Sequence, residues 1–174
     1  MLKDGNGTWI DDENELKKMV VEFFQKLYQS VDGEGCWYET TSTFLVLEQD
    51  TLKSLGRAPL SDEIKQSLFS MGPYKAPGFD GFPPLFFQSK WSVVGEDLCN
   101  FVKSVFTGRH DLKDHNRTLI SLIPKIDRPE SVGHLRPISL CSVHYKVLTK
   151  VIAGRLRHLM DSLVSPNQSS FIKG

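Results

Sequence analysis

Apolar side chains recur every three to four residues in three stretches of the chain, residues 13–30, 84–106 and 142–162. This spacing is typical of a helix with one buried face, and it predicts three amphipathic helices. A fourth, shorter helix is predicted from Ser61 to about Met71. Ser61 is a plausible N-cap, because two acidic residues follow it in the first turn.

Glycines, prolines and β-branched residues divide the rest of the chain. Residues 72–84 contain three glycines and four prolines, a density that excludes a helix and predicts a loop with fixed turns. Gly108 is a natural end for the long helix before it. Two short apolar runs, residues 118–125 and 136–140, predict paired strands. The expected fold class is therefore α+β, mostly helical with a small antiparallel β-hairpin.

The formal net charge is zero, but the charge is unevenly distributed along the chain. Residues 1–70 carry 7 basic and 13 acidic side chains, whereas residues 111–174 carry 10 basic and 5 acidic ones. The overall balance argues against an autonomous, strongly basic nucleic-acid-binding domain. Only the last third of the chain is basic.

Several classes of protein and site are excluded by the sequence. No apolar run approaches the roughly 20 residues that cross a bilayer, and no apolar signal core begins the chain, so we expect an intracellular protein without a membrane partner. Cys36, Cys99 and Cys141 are far apart and lack zinc-site spacing, which favours a reducing compartment. The acidic pair Asp11–Asp12 precedes a helix, where carboxylates favour the helix dipole, so we predict no metal site. No P-loop, zinc-protease or serine-hydrolase motif is found.

Basic side chains at five positions have the chemistry to hold phosphate groups. Lysine supplies a compact charge and arginine a two-pronged donor, so cations on adjacent strands can grip a triphosphate or a nucleic-acid backbone. The alternative is an ordinary solvated hairpin and helix, and composition does not decide between the two. The five residues are Lys125 and Arg136 at the predicted strands and Lys146, Lys150 and Arg157 on the last helix.

Four sequence blocks occur in an informative order: GPYKAPGFDGFPPLFFQSKW, TLISLIPK, RPISLCSVHYKVLTKVIAGRL and QSSFIKG. Together they resemble the reverse transcriptase of a plant-type non-LTR (LINE-like) retrotransposon. In that family a KAPGPDG block precedes the fingers, LIPK and RPISL strands form the fingers hairpin, and a Q-S-x-F-x-x-G turn leads towards the palm. The segment ending at Tyr28 is similar to the family's linker helix, so the resemblance covers essentially the whole chain.

The resemblance assigns a role to each matching position. It implies that Lys125 and Arg136 contact the incoming deoxynucleotide triphosphate in the fingers. Lys146 and Lys150 are further candidate nucleic-acid contacts because of the basic stripe on the following helix, independently of the resemblance. The remaining positions implied for the template and nucleotide site are Lys75, Asp80, Gly81, Gln168 and Phe171.

Several of these positions also have a purely structural interpretation. Asp80 and Gly81 follow a proline and form turns unaided. Gln168 could brace the turn at Ser165–Pro166, and Phe171 could belong to the core. Phe79 departs from the family, which usually has proline there.

The carboxylates that polymerisation requires are missing from the sequence. Family members hold two metal ions on an F-x-D strand and an ADD turn, and Asp161 is the only acidic residue after Glu130. The resemblance therefore implies Mg²⁺ in the full-length polymerase and none in this fragment. We expect no catalytic residue in the chain and no primer extension by it alone.

The expected organisation is a linker helix and loop over residues 1–58 and a partial reverse transcriptase domain over residues 59–174. Implied partners are an RNA template, a DNA primer, deoxynucleotide triphosphates and the missing palm and thumb; the family implies a nuclear location. Two alternatives remain open: a non-catalytic module that binds RNA or primer-template duplex, and a non-functional retroelement remnant.

Overall fold

The structure is a computed structural model of the chain, and it describes residues 1–29, 47–113 and 115–164. Helices account for most of the regular structure, and two short pairs of strands complete an α+β fold, which confirms the predicted class. No helix within the described ranges is long and apolar enough to span a membrane. The elements are β1 (Leu2–Lys3), β2 (Trp9–Ile10), α1 (Glu13–Tyr28), α2 (Gln49–Gly56), α3 (Ser61–Phe69), α4 (Pro84–Ser89), α5 (Trp91–Phe106), β3 (Leu119–Pro124), a 3-10 turn (Val132–His134), β4 (Leu135–Leu140), α6 (Val143–Arg157) and α7 (Met160–Leu163).

The chain divides into two compact units, each built from two segments. Among the described residues, unit 1 comprises residues 1–29 and 120–139, and unit 2 comprises residues 47–113, 115–119 and 140–164. The boundary that the sequence suggests after residue 58 remains a prediction about how the gene product is organised.

Unit 2 contains the main hydrophobic core, where α3, α5 and α6 pack together. Because these helices present apolar residues at helical spacing, their buried faces meet and remove that surface from water. Gly95 lets the Trp91 indole lie close to the α5 backbone, since a Cβ there would lie within 2.8 Å of the ring. The fully buried side chains of this core are Ile64, Leu68, Leu98, Val102, Val143, Val147, Leu148 and Val151.

Unit 1 consists of two strand pairs and α1. Strands β1 and β2 pair antiparallel, with Leu2 opposite Ile10. Asp12 caps α1, because its carboxylate accepts hydrogen bonds from the N–H groups of Asn14 and Glu15 at 2.9 Å. Strands β3 and β4 form the predicted hairpin.

Three sequence predictions about helices need correction. The helix predicted over residues 84–106 is interrupted at Lys90, which has φ −106° and ψ 23° and ends α4 while starting α5. A tertiary contact lies next to the break: the Gln88 amide donates to the carbonyls of Leu68 and Met71 at 3.0 Å and so ties α4 to the end of α3.

The other two corrections concern helix ends. Ser61 is not the N-cap of α3, because Leu60 occupies that position and the Ser61 hydroxyl instead accepts a 2.8 Å hydrogen bond from Lys103. The helix predicted over residues 142–162 ends at Arg157, and α7 follows as a separate turn. Helix α2 and strands β1 and β2 were not predicted.

Candidate functional site

The loop of residues 72–84 is fixed to unit 2 at several points. Gly78 packs against the start of α6 so closely that a Cβ there would lie 2.7 Å from both the carbonyl carbon of Cys141 and the Cα of Ser142. The Lys146 ammonium donates a 2.6 Å hydrogen bond to the Ala76 carbonyl, across 70 residues of sequence. This segment is therefore held in place by contacts that only the folded unit supplies.

Asp80 and Gly81 lie together in a tight turn at the tip of this loop. The Gly81 N–H donates to the Gly78 carbonyl at 3.2 Å, and Gly81 has a φ of 75°, a conformation that favours glycine. One Asp80 carboxylate oxygen accepts from the Phe82 N–H at 3.3 Å. Both predicted site residues thus have a structural role in the turn, and Asp80 adds a negative charge that would repel phosphate.

The same loop presents aromatic and cationic side chains to solvent. Tyr74 is 84% exposed, and Lys75 beside it is also exposed. Phe79 is 44% exposed, with the Arg117 guanidinium 5.3 Å from the centre of its ring. Exposed aromatic rings interspersed with cations are typical of surfaces that bind single-stranded nucleic acid.

Helix α6 places its lysines next to the same loop. Ser142 caps the helix through a hydrogen bond from the Tyr145 N–H, and Lys146 and Lys150 follow one turn apart. The Lys150 ammonium donates to the Ser70 carbonyl at 3.3 Å. Both lysines are half-buried, and each has a carbonyl partner that does not cancel its positive charge.

An open cleft of about 1100 Å³ lies beside α6, between α2 and α3. Inside it, the Arg155 guanidinium forms a two-pronged pair with the Glu63 carboxylate at 2.7 and 2.9 Å and also donates to the carbonyls of Leu55 and Arg57. The hydrogen bond from Arg155 holds the pKa of Glu63 below its ordinary value. The sequence reasoning missed Arg155, because its spacing in the helix does not reveal a partner 92 residues away.

Lys125 and Arg136 lie in the β3–β4 hairpin of unit 1, and both are exposed. The Lys125 N–H donates to the His134 carbonyl at 2.9 Å, and its ammonium donates to the Gly133 carbonyl at 2.9 Å. This backbone bond lies just beyond the end of β3, and Arg136 is the second residue of β4. Lys125 and Arg136 are therefore both exposed on the same hairpin, 11 positions apart in sequence.

Other predicted positions are not brought into a site by the structure. Gln168 and Phe171 lie outside the described residues, as does the turn at Ser165–Pro166. Across residues 1–29, 47–113 and 115–164, no three histidine, cysteine, aspartate or glutamate side chains are grouped so that they could hold a metal ion. Mg²⁺ remains a prediction for a longer polymerase.

Comparison with known proteins gives one informative similarity. No family model matches the chain. It is 28% identical, over 172 residues, to the "Transposon TX1 uncharacterized 149 kDa protein" of Xenopus laevis. The match covers 97% of this chain but 13% of that protein, and its source does not support a plant assignment. The similarity along nearly the whole chain supports a transposable-element-related origin for this protein.

Proposed function

We propose that this chain is the N-terminal, fingers portion of a non-LTR retrotransposon reverse transcriptase. The observation that carries the proposal is the ordered set of four motif blocks within a chain that is similar, over 97% of its length, to a transposon protein. The chain spans about an eighth of the length of that relative, so RNA-directed DNA synthesis is proposed for the longer protein. Binding of nucleic acid and nucleotide is proposed for this part.

In this proposal the hairpin of unit 1 holds the triphosphate of the incoming nucleotide. Lys125 and Arg136 are both exposed on this hairpin, and their ammonium and guanidinium groups offer a point charge and a planar fork. The Gly133 carbonyl accepts one of the three ammonium hydrogens of Lys125, which limits the orientations of the side chain and leaves two donors for phosphate.

A second set of cations, in unit 2, would follow the template backbone. Lys75 is exposed on the loop, and Lys146 and Lys150 project from α6 with no carboxylate partner among the described residues. Neutralising several phosphates releases condensed counterions, so affinity should fall steeply as salt rises. Any base-specific contact would be added to this electrostatic binding.

Fluorescence anisotropy with a labelled RNA template annealed to a DNA primer tests the proposal. We expect binding whose affinity falls with salt, and the variant Lys150→Gln should reduce the slope of log affinity against log salt by about one contact. Lys18→Gln is the matched control, because Lys18 lies on α1 with a side chain 78% exposed, and its slope should match the wild type. Failure of the wild-type protein to bind would refute the proposal and favour a non-functional remnant.

A primer-extension assay distinguishes two hypotheses: that the chain is a fragment of a polymerase, and that it is an autonomous module that only binds nucleic acid. The chain is expected to bind primer-template duplex without extending the primer, because the sequence lacks the family's metal-binding carboxylates. A longer protein that contains this chain should extend the primer, and in it Arg136→Gln should raise the KM for deoxynucleotides. An unchanged KM would contradict the role assigned to the hairpin.

A further inference from the structure

Phe79 and Arg117 form an exposed pair in unit 2 whose arrangement the fold does not need for its own core. The Phe79 ring is 44% exposed, and Arg117 is exposed too. The guanidinium carbon lies 5.3 Å from the ring centre, within the range of a cation–π contact. Among the described residues Phe79 has no other aromatic or cationic partner, which leaves most of its exposed surface available.

The backbone that carries Phe79 is fixed before any ligand arrives. Gly78 on one side is pressed against the start of α6, and Asp80 and Gly81 on the other side close a hydrogen-bonded turn. An aromatic side chain on a rigid backbone loses little conformational freedom on binding, so more of its contact energy appears as affinity. Phe79 is thus a preorganised, solvent-facing ring.

We propose that the Phe79 ring, backed by Arg117, stacks on an unpaired base of single-stranded nucleic acid. This inference rests on the proposed nucleic-acid-binding function and adds the residue that contacts a base. Stacking on an aromatic ring is open to every base, because every base has a π-face. The guanidinium supplies a positive charge at the ring, where it can also meet the phosphate next to the stacked base.

The identity of residue 79 makes the proposed base stacking specific to this chain. The loop otherwise follows the family pattern, but proline usually stands at this position in the family, and proline offers no aromatic face. The neighbouring Phe82 is 46% exposed as well, but its ring lies 4.6 Å from that of Phe86, and it has no cationic partner among the described residues. Phe79 is therefore the loop phenylalanine that combines exposure with a cationic partner.

Two labelled oligonucleotides of equal length test the inference with the whole chain. One is single-stranded RNA with all its bases, and the other has the same backbone with abasic residues throughout. We expect Phe79→Leu and Phe79→Pro to weaken binding of the base-containing oligonucleotide about fivefold or more, and to leave binding of the abasic one unchanged. Phe79→Tyr should bind both as the wild type does.

Two further variants control for folding and for charge. Phe69→Leu removes another half-exposed phenylalanine that lies near a lysine, and it should not change either affinity. Arg117→Lys keeps the charge but loses the planar group. It should therefore weaken binding of the base-containing oligonucleotide and leave binding of the abasic one unchanged. Circular dichroism spectra and unfolding midpoints check that each variant is folded.

Each outcome distinguishes this inference from the function on which it rests. If the wild type binds both oligonucleotides and Phe79→Leu weakens neither, or weakens both equally, stacking by Phe79 is refuted while nucleic-acid binding stands. If the wild type binds neither oligonucleotide, the proposed function fails and the inference fails with it.

Discussion

Arg155 offers the sharpest test of how unit 2 is held together. Its side chain is 11% exposed and connects three helices: it pairs with Glu63 of α3 and donates to two carbonyls at the end of α2. The substitution Arg155→Met keeps the aliphatic stem but removes every one of these hydrogen bonds. The Glu63 carboxylate then loses its side-chain hydrogen bonds, and both carbonyls lose the guanidinium.

The loss of unfolding free energy in Arg155→Met depends on how well water can replace the guanidinium as a partner of the Glu63 carboxylate. Removing one member of a fully buried ion pair costs about 3–5 kcal/mol, because the remaining charge is left without compensation. The Glu63 side chain is 28% exposed, so water partly resolvates the carboxylate. We therefore expect Arg155→Met to lower the free energy of unfolding by about 2–3 kcal/mol.

Urea denaturation followed by circular dichroism measures this loss. The exposed pair between Lys53 and Asp50, at 3.2 Å, provides the matched control, and Lys53→Met should cost at most about 1 kcal/mol.

The pKa of Glu63 is lowered in the folded chain, so its pairing stabilises the protein above pH 4.5 and is lost as pH falls through the folded pKa. Arg155→Met should lose this part of the acid sensitivity. A cost below about 0.5 kcal/mol, or an unchanged acid dependence, would refute the reasoning.

Two further predictions concern the loop of residues 72–84 and its neighbours. Gly78→Ala should lower the free energy of unfolding by about 1–3 kcal/mol or more, because the added Cβ meets backbone atoms that cannot rotate away; an unchanged urea midpoint would contradict the close packing. Burial against the rings of Phe87 and Phe101 lowers the pKa of His144. The Asp80 carboxylate opposes this shift, and the charge of His115 adds to it. As pH falls, the His144 imidazole is therefore protonated in the unfolded chain before it is protonated in the folded chain, so the free energy of unfolding should fall as pH drops below 6.5. Urea titrations between pH 8 and 5 measure this loss, and His144→Asn should make the free energy of unfolding less dependent on pH in that range.

Local patterns were sufficient to predict much of the fold. The glycines and prolines of residues 72–84 disfavour a helix, and the segment is a loop up to Pro83, with Pro84 in the first turn of α4, where proline is tolerated. Gly108 ends α5 with a φ of 67°, as expected for a glycine after a helix. The two β-branched runs form a hairpin, since their composition and the polar connection both favour one.

Tertiary contacts explain what sequence patterns missed. The apolar spacing continues through Lys90, so nothing local reveals that the helix is interrupted there or that Gln88 binds the end of α3. The role of the candidate cations stays a prediction, and their structural partners lie far away in sequence, as Lys146 and Ala76 show. Sequence periodicity shows which face of a helix is polar, and it does not show what that face contacts.

These partners decide which cations of α6 remain available to a polyanion. A carbonyl oxygen accepts a hydrogen bond without neutralising its donor, so Lys146 and Lys150 keep a full positive charge, and each ammonium has two hydrogens left for phosphate. Arg155 is instead paired with a carboxylate, and its guanidinium is directed into the molecule. The bonds to Ala76 and Ser70 also restrain two flexible side chains before a ligand arrives, which reduces the entropy lost on binding. The lysine-bearing part of α6, together with the loop that it holds, is therefore where we propose that unit 2 contacts a nucleic-acid backbone.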